Sequence, residues 1–155
     1  MAQATTYPKD KIKILLLEGV HPVTIEEFQK AGYTNIETHQ GALEEDELIK
    51  KIEDVHILGI RSKTQVNVKV LSNAKKLLEV GAFCIGTNQI DIETAKKNGI
   101  AVFNSPFSNT RSVAELVIAS SIMLLRRIPE KNEAAHKGLW LKDSKNCFEI
   151  RGKTL

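Results

Sequence analysis

Cysteine is scarce in this chain, and its scarcity excludes two classes of small protein. The two cysteines, Cys84 and Cys147, lie far apart, and neither belongs to a CxxC pair. A disulfide framework needs several paired cysteines, and a cysteine-type zinc site needs closely spaced ones. The pattern is typical of proteins of the reducing cytoplasm, which is the location that we predict.

Long apolar runs, basic blocks and a secretory leader are also missing. The longest apolar run, Leu116–Leu125, is too short to span a bilayer and is interrupted by Ser120 and Ser121. Lysine and arginine are spread along the chain, and the net charge is only +3. Residues 1–10 lack an apolar segment and predict a flexible tail. These features argue against a membrane or nucleic-acid partner and suit a small anionic substrate.

The sequence does contain an alternation of strand and helix signals. Strands are predicted over Ile12–Leu17, Ile36–His39, Val55–Ile60, Leu77–Val80 and Ile100–Phe103. Helices are predicted over Pro22–Gly32, Leu43–Asp54, Val66–Asn73, Asp91–Asn98, Ser112–Arg127 and Pro129–Gly138. Five β-α units with apolar strands predict an α/β fold, namely a flavodoxin-like parallel sheet over residues 11–108.

Two local patterns mark the part of the chain that follows this predicted sheet. Ser112-Val-Ala-Glu115 has the pattern of a capping box at the start of a long helix. Gly152–Leu155 is typical of the first residues of another strand. The sequence therefore predicts a helical arm after the sheet, which leads towards a further β-containing region.

Polar residues and glycines follow the predicted strands, at the edge where ligands of open α/β sheets bind. Arg61 offers a fork of donors that suits a carboxylate or a phosphate. Gly81 and Gly86 allow backbone amides to approach an anion, and Asn109 and Arg111 precede a helix N-terminus. Together these residues predict a concave site for a small, oxygen-rich anion.

Each of these residues also has an ordinary structural explanation. Arginine after a strand is commonly a solvated loop charge, glycine is a turn residue, and Asn109 fits helix entry. Cys84 is more typical of a packed side chain than of a nucleophile, and Trp140 fits a core or an interface. The four histidines lack metal-ligand spacing, so no metal is expected. The predicted site depends on these residues occurring at the same place.

Three other uses of such a sheet do not fit. A receiver domain needs an aspartate after its third strand, where this chain has Arg61. A flavodoxin needs a Ser/Thr-rich phosphate loop after its first strand, where this chain has Glu18-Gly-Val-His21. No three of the nine glycines have the GxGxxG spacing of a dinucleotide fingerprint.

Several longer stretches closely resemble one group of enzymes. They are Lys9–His21, Ile60–Thr64, Val80–Asp91, Gly99–Leu116 and Phe148–Leu155. They are similar to the D-3-phosphoglycerate dehydrogenases of bacteria and fungi, a group within the D-2-hydroxyacid dehydrogenase family. The resemblance covers nearly the whole chain from about residue 9, and the run Phe107–Glu115 is its most specific part.

The resemblance implies an activity and a domain plan. Such enzymes oxidise 3-phospho-D-glycerate to 3-phosphohydroxypyruvate with NAD, at the start of serine biosynthesis. Residues 11–108 would form the substrate-binding domain. Residues 109–155 would supply interdomain helices and the first strand of a Rossmann-like domain that is otherwise missing here. Because the family's GxGxxG run and catalytic Arg, Glu and His lie further on, we expect no catalytic residue in this chain and no activity of the chain alone.

The resemblance also implies roles for individual residues. Arg61, Ser62 and Asn109 would contact the substrate, as would the backbone at Phe83 and Cys84. Ile85 would touch the nicotinamide of NAD. Lys63 and Lys142 are candidates for the substrate phosphate that are chosen on charge and place instead. Residues 112–140 would form a homo-oligomer contact.

Two alternative functions remain open. The chain would act in another D-2-hydroxyacid dehydrogenase, against which the Phe107–Glu115 run argues, or it would be a stand-alone ligand-binding or regulatory module. An end inside an apparent strand favours a truncated enzyme over such a module.

Overall fold

The computed structural model describes residues 7–155, which divide into two compact units between Ser108 and Asn109. In the first unit, residues 7–108 form a parallel sheet of five strands in the order β2-β1-β3-β4-β5. The strands are β1 (Ile14–Leu16), β2 (Ile36–Thr38), β3 (Ile57–Ile60), β4 (Glu79–Ala82) and β5 (Ala101–Asn104). This order is that of flavodoxin-like sheets. The prediction of an α/β fold with a parallel sheet is confirmed.

Helices connect the strands of the first unit and form the second. The connecting helices are α1 (Val23–Lys30), α2 (Glu45–Ile52), α3 (Val68–Asn73) and α4 (Ile92–Lys97). The second unit contains α5 (Thr110–Leu125) and α6 (Ile128–His136). Asn67 and Asp91 cap α3 and α4 by accepting hydrogen bonds from backbone amides in the first turn of each helix.

The core of the first unit lies on the sheet. Every residue of β1 is buried, because β1 is a central strand with helices packed over its sheet. Leu48 and Ile52 of α2 and Val70 and Leu71 of α3 are buried in the same unit. Burying each such side chain contributes roughly 1.5–3 kcal/mol. This packing fixes the strand ends from which the candidate site is built.

The fourth strand lies two residues later than the sequence predicted. Gly81 pairs with Gly59 and Ala82 pairs with Ile60, so pairing with β3 extends β4 past Val80. Local apolar patterning ended the prediction at Val80, whereas the register with the neighbouring strand decides the true end. Gly81 is therefore a strand residue, and its predicted place in an anion-binding loop is wrong.

Two predicted helix starts, those of α5 and α3, are also corrected. Helix α5 begins at Thr110, so Ser112 lies inside its first turn and donates its hydroxyl to the Asn109 carbonyl instead of forming a capping box. Val66 precedes α3 because it bridges to Ile90. Residues 152–155 join no strand within residues 7–155, and Gly152 lies in a turn. That they begin a strand of a further domain stays a prediction.

The predicted tail falls partly outside the described residues, which exclude residues 1–6. Within the described part, Lys9–Lys11 form a short 3-10 helix. The Lys9 ammonium donates to the Ala31 carbonyl at 2.8 Å and lies over the Tyr33 ring. These contacts tie the first described residues to the end of α1.

Gly59 in β3 leaves the space that two neighbouring side chains occupy. A Cβ at this position would lie 2.5 Å from Leu16 Cδ2 and 3.0 Å from Phe83 Cε2. Because Leu16 is buried, we expect Gly59→Ala to lower the free energy of unfolding by about 1–3 kcal/mol in urea titrations. Gly41→Ala is the control, expected within about 0.5 kcal/mol of wild type, since its Cβ meets no described atom within 4 Å. Equal losses in both variants would contradict this packing.

An ion-pair network on β2 makes stability depend on pH. Hydrogen bonds from Lys51 and His39 lower the pKa of the Glu37 carboxyl from 4.5 to about 2, and Lys13 adds attraction. In this range the unfolded state binds more protons, so stability is complete above about pH 4.5 and is lost as the pH falls towards 2.

We expect Glu37→Gln to remove this part of the acid dependence, worth about 1–3 kcal/mol for a partly exposed group. The measurement is the free energy of unfolding of both proteins across that pH range. Glu27→Gln, which breaks an exposed pair with Lys30, is the control and is expected to change little. Parallel pH profiles of wild type and Glu37→Gln would contradict the role of the network.

Candidate functional site

The candidate site lies at the carboxyl ends of β1, β3, β4 and β5. Because all strands of the sheet are parallel, the residues that follow them meet along one edge. Glu18 follows β1, Arg61 follows β3, and Phe83 follows β4. The structure thus brings together residues that are far apart in the sequence.

Glu18 connects the end of β1 with the loop after β3. It is buried, and its carboxylate accepts hydrogen bonds from the backbone N–H groups of Arg61 (3.1 Å), Lys63 (2.9 Å) and Thr64 (2.8 Å). Burial by itself raises the pKa of this carboxyl, but hydrogen bonds from Thr64, Lys63 and Arg61 outweigh burial and hold the pKa below its ordinary value. Glu18 is therefore an anion whose charge is satisfied by backbone amides.

Gln89 binds the same loop, Arg61–Thr64, at a carbonyl group. Its side-chain amide donates to the carbonyl of Arg61 at 2.8 Å, and the thiol of Cys84 lies 3.4 Å from that carbonyl. Both backbone groups of Arg61 are thus tied by buried side chains, the N–H by Glu18 and the C=O by Gln89. Neither Glu18 nor Gln89 was identified as a site residue from the sequence. A polar residue directly after a central apolar strand was the available signal for Glu18.

Two cavities adjoin this loop, and Arg61 lines both. The first measures about 270 Å³, and its lining residues are Glu18, Gln40, Gly41, Ala42, Arg61, Ser62 and Lys63. The second measures about 360 Å³, and its lining residues are Gly19, Val20, His21, Pro22, Thr24, Arg61 and Phe83. Three of the predicted substrate residues, Arg61, Ser62 and Lys63, therefore share one cavity wall. Two positive side chains and a hydroxyl on that wall suit an anion with several oxygens.

The segment after β4 presents backbone donors. The N–H of Phe83 is used by the Ile60 carbonyl, but the N–H groups of Cys84, Ile85 and Gly86 meet no acceptor within residues 7–155. The carbonyl of Cys84 accepts from the Ser105 amide at 3.0 Å, and the carbonyl of Ile85 accepts from the Asn104 side chain at 2.6 Å. These bonds fix the carbonyls of Cys84 and Ile85 at the end of β5, and the Gly86 carbonyl accepts from the Gln89 side chain, so three amides of a fixed segment are open to an anion.

Phe83 and Ile85 add apolar surface beside these donors. Phe83 is 39% exposed and Ile85 is 46% exposed. Phe83 also lines a third cavity of about 160 Å³ with Phe103, Asn104 and Ser105. The predicted contacts Phe83, Cys84 and Ile85 therefore lie on the same sheet edge as Arg61, with Phe83 and Arg61 lining one cavity.

The other two predicted substrate residues, Asn109 and Lys142, belong to the second unit. Asn109 is the N-cap residue of α5, and its carbonyl accepts from Ser112 and Val113. Lys142 is exposed in the irregular chain after α6. Their roles as substrate contacts stay predictions.

Residues 7–155 contain no group of three or more His, Cys, Asp or Glu side chains that would hold a metal ion. None of the described helices is both long enough and apolar enough to cross a membrane.

Comparison with known proteins finds relatives over the whole chain. It is 53% identical to the D-3-phosphoglycerate dehydrogenase of Dictyostelium discoideum over 155 residues, covering 100% of this chain and 38% of that protein. It is 55% identical to the enzyme of the same name from Escherichia coli K12 over 147 residues, covering 95% of this chain and 36% of that protein. The chain thus spans little more than a third of the length of these relatives.

Solved structures show the same fold at lower identity. An acyclic imino acid reductase, solved with NADPH and D-Arg, superposes with a TM-score of 0.81 at 24% identity, covering 92% of this chain and 47% of that one. An NAD+-bound 3-phosphoglycerate dehydrogenase of Entamoeba histolytica gives a TM-score of 0.63 at 22% identity, covering 74% and 40%. At these identities the likeness concerns the fold alone.

The sequence profile of one family covers most of the chain. Residues 14–146 match the catalytic domain of the D-isomer specific 2-hydroxyacid dehydrogenases. The match includes all five strands, the loop that carries Arg61 and the segment of open amides after β4. The chain therefore belongs to the D-isomer specific 2-hydroxyacid dehydrogenase family.

Proposed function

We propose that this chain supplies the substrate-binding part of a D-3-phosphoglycerate dehydrogenase, which oxidises 3-phospho-D-glycerate to 3-phosphohydroxypyruvate with NAD. The observation that carries the proposal concerns one edge of the sheet. Arg61 and Lys63 line a cavity there, and the open amides after β4 lie at the same edge. The relatives named above, at 53% and 55% identity, bear this enzyme name and support the choice of substrate.

The substrate has two anionic ends, and the site has two kinds of anion binder. The amides of Cys84, Ile85 and Gly86 suit the carboxylate, because three N–H groups meet no acceptor within residues 7–155. Arg61 reaches the substrate with a planar fork of donors, and Ser62 adds a hydroxyl. Lys63 suits the phosphate as a point charge. Asn109 and Lys142 are proposed as further substrate contacts from the second unit.

NAD, when bound, would accept the hydride from the hydroxyl-bearing carbon. The exposed side chain of Ile85 beside the open amides fits the apolar edge of a nicotinamide, and we propose this single contact for the cofactor. The residues of this chain bind and orient the substrate. We further propose a cytoplasmic location and a homo-oligomer formed through residues 112–140.

Titration of the chain with 3-phospho-D-glycerate tests the proposal. We expect the amide signals of Cys84, Ile85 and Gly86 and the guanidinium signal of Arg61 to shift in NMR spectra. D-lactate, which has the carboxylate but no phosphate, should bind more weakly by about 10-fold or more, because charge-assisted bonds to the phosphate are lost. Equal affinities for the two acids would contradict the assignment of the phosphorylated substrate.

The chain by itself is expected to produce no NADH from 3-phospho-D-glycerate and NAD. The reason is that neither a dinucleotide fingerprint nor an acid–base residue was identified in its sequence, and general acid–base catalysis contributes about 10²–10⁴ in rate. The measurement is the absorbance of NADH with the purified chain, against an intact dehydrogenase as positive control. Formation of NADH above background would contradict this expectation.

A further inference from the structure

The described chain contains three buried polar side chains, and all three belong to one place. They are Glu18, Thr64 and Gln89, which are 8%, 1% and 4% exposed. Glu18 and Gln89 hydrogen-bond the segment Arg61–Thr64, and Thr64 is its last residue. Buried polar groups are costly unless they are hydrogen-bonded, so their concentration around one loop calls for a reason.

Charge pairing does not supply that reason. Within residues 7–155, no lysine, arginine or histidine forms a salt bridge with Glu18. The carboxylate is satisfied by backbone amides of a segment that lies 43 to 46 residues further along the chain. A buried anion with this arrangement determines the path of a distant loop.

The backbone conformation of Glu18 also indicates a role for its side chain. Its φ of 63° lies in the left-handed region, where glycine is favoured and glutamate is strained. The neighbouring Gly19, with φ of 59°, has the residue type that this conformation favours. A glycine at position 18 would relieve the strain but would remove the carboxylate. The hydrogen bonds that this carboxylate accepts from the Arg61–Thr64 loop therefore explain why a glutamate occupies a strained position.

The hydrogen bonds to the loop are selective. Glu18 Oε1 accepts from the amides of Arg61 and Thr64, and Oε2 accepts from that of Lys63. The Ser62 amide donates no hydrogen bond to Glu18. The loop bends around the carboxylate, and residues Arg61, Ser62 and Lys63 of this loop line the cavity. Gln89 fixes the carbonyl of Arg61 at the same time.

We propose that Glu18 is a positioning residue, which shapes the Arg61–Thr64 loop so that Arg61 is presented to the substrate, and that Gln89 assists it. This role rests on the proposed function for the identity of the substrate. The lowered pKa of Glu18 is consistent with it, because the carboxylate stays charged at neutral pH. Glu18 acts through the loop and does not need to touch the substrate.

The first experiment measures the loop directly, without substrate. In Glu18→Gln one carboxylate oxygen becomes an NH₂ group, which cannot accept from a backbone amide. We expect amide hydrogen exchange to accelerate about 10-fold, the factor for one net hydrogen bond, at Lys63 or at Arg61 and Thr64, depending on which oxygen is replaced. Exchange at β3 and β4 should stay as in wild type. Unchanged exchange throughout the loop would overturn the proposal.

The second experiment tests whether Glu18 acts through Arg61. We expect Glu18→Gln to weaken binding of 3-phospho-D-glycerate about 10-fold, as measured by NMR titration. In the background of Arg61→Ala the same change should alter the dissociation constant less than about 2-fold, since coupled residues are not additive. An equal loss in both backgrounds, or accelerated exchange with unchanged affinity, would reduce Glu18 to a structural role and overturn the proposal.

Two further variants complete the design. Glu37→Gln changes a carboxylate on β2 that also has a lowered pKa but does not contact the loop, so its affinity should match wild type. If Glu18→Gln does not fold, Gln89→Met decides, because it removes the donor to the Arg61 carbonyl and should weaken binding in the same Arg61-dependent way. A Gln89→Met variant with wild-type affinity would then overturn the proposal.

Failure of the proposed function gives a different result. If the wild-type chain does not bind 3-phospho-D-glycerate, the proposed function is overturned together with the presentation of Arg61 to that substrate. The exchange rates, measured without substrate, still decide whether Glu18 shapes the loop.

Discussion

Arg61→Lys is expected to raise the KM for 3-phospho-D-glycerate about 10- to 100-fold in the active dehydrogenase, although the positive charge is retained. The guanidinium is a rigid, planar fork that can bind two oxygens at once, whereas an ammonium acts as a point charge. Loss of charge-assisted hydrogen bonds costs roughly 1.5–3 kcal/mol, which gives this range of KM. Steady-state kinetics at saturating NAD are the measurement.

Arg61→Lys should change the side chain of residue 61 without moving its backbone. The contacts that hold residue 61 in place use its backbone N–H and C=O, which Glu18 and Gln89 bind, so the loop should keep its path in Arg61→Lys. Arg151→Lys, at an exposed turn of the second unit, is the matched control and should leave KM unchanged. An unchanged KM and kcat in Arg61→Lys would show that Arg61 is a solvated loop charge.

The fold was largely predictable because its strands are apolar runs separated by amphipathic helices. All five predicted strands occur, and their parallel order follows from the β-α alternation. The ends were less predictable, since they depend on partners. β4 extends to Ala82 because Gly59 and Ile60 pair with its last two residues, which no local pattern at Val80 reveals.

The site was predictable only in part. Arg61 was identified from its place after a strand, Ser62 from the family resemblance and Lys63 from its charge and place, and all three line one cavity. Glu18 and Gln89 were missed because a glutamate or a glutamine beside a loop is ordinarily solvated. Their burial depends on contacts across as many as 46 and 28 residues of sequence, respectively. Such contacts become visible only once the sheet has brought its strand ends together.

The second unit has an apolar surface that its own residues leave uncovered. No residue of α5 is fully buried in the described chain, and Leu116 and Leu124 are 67% and 68% exposed. Trp140, after α6, is 83% exposed. Each large apolar side chain left in water forgoes about 1.5–3 kcal/mol of burial. Apolar surface exposed in this amount is typical of an interface between proteins.

We therefore expect the purified chain to associate into dimers, or to exchange its helices between copies, with Trp140 near the contact. Light scattering at tens of micromolar should give the mass of a dimer or larger species, and the Leu116→Glu, Leu124→Glu double variant should shift it towards monomer. Val23→Glu places the same charge on an exposed apolar residue of the first unit and should leave the mass unchanged. A wild-type chain that stays monomeric would show that this surface does not drive self-association.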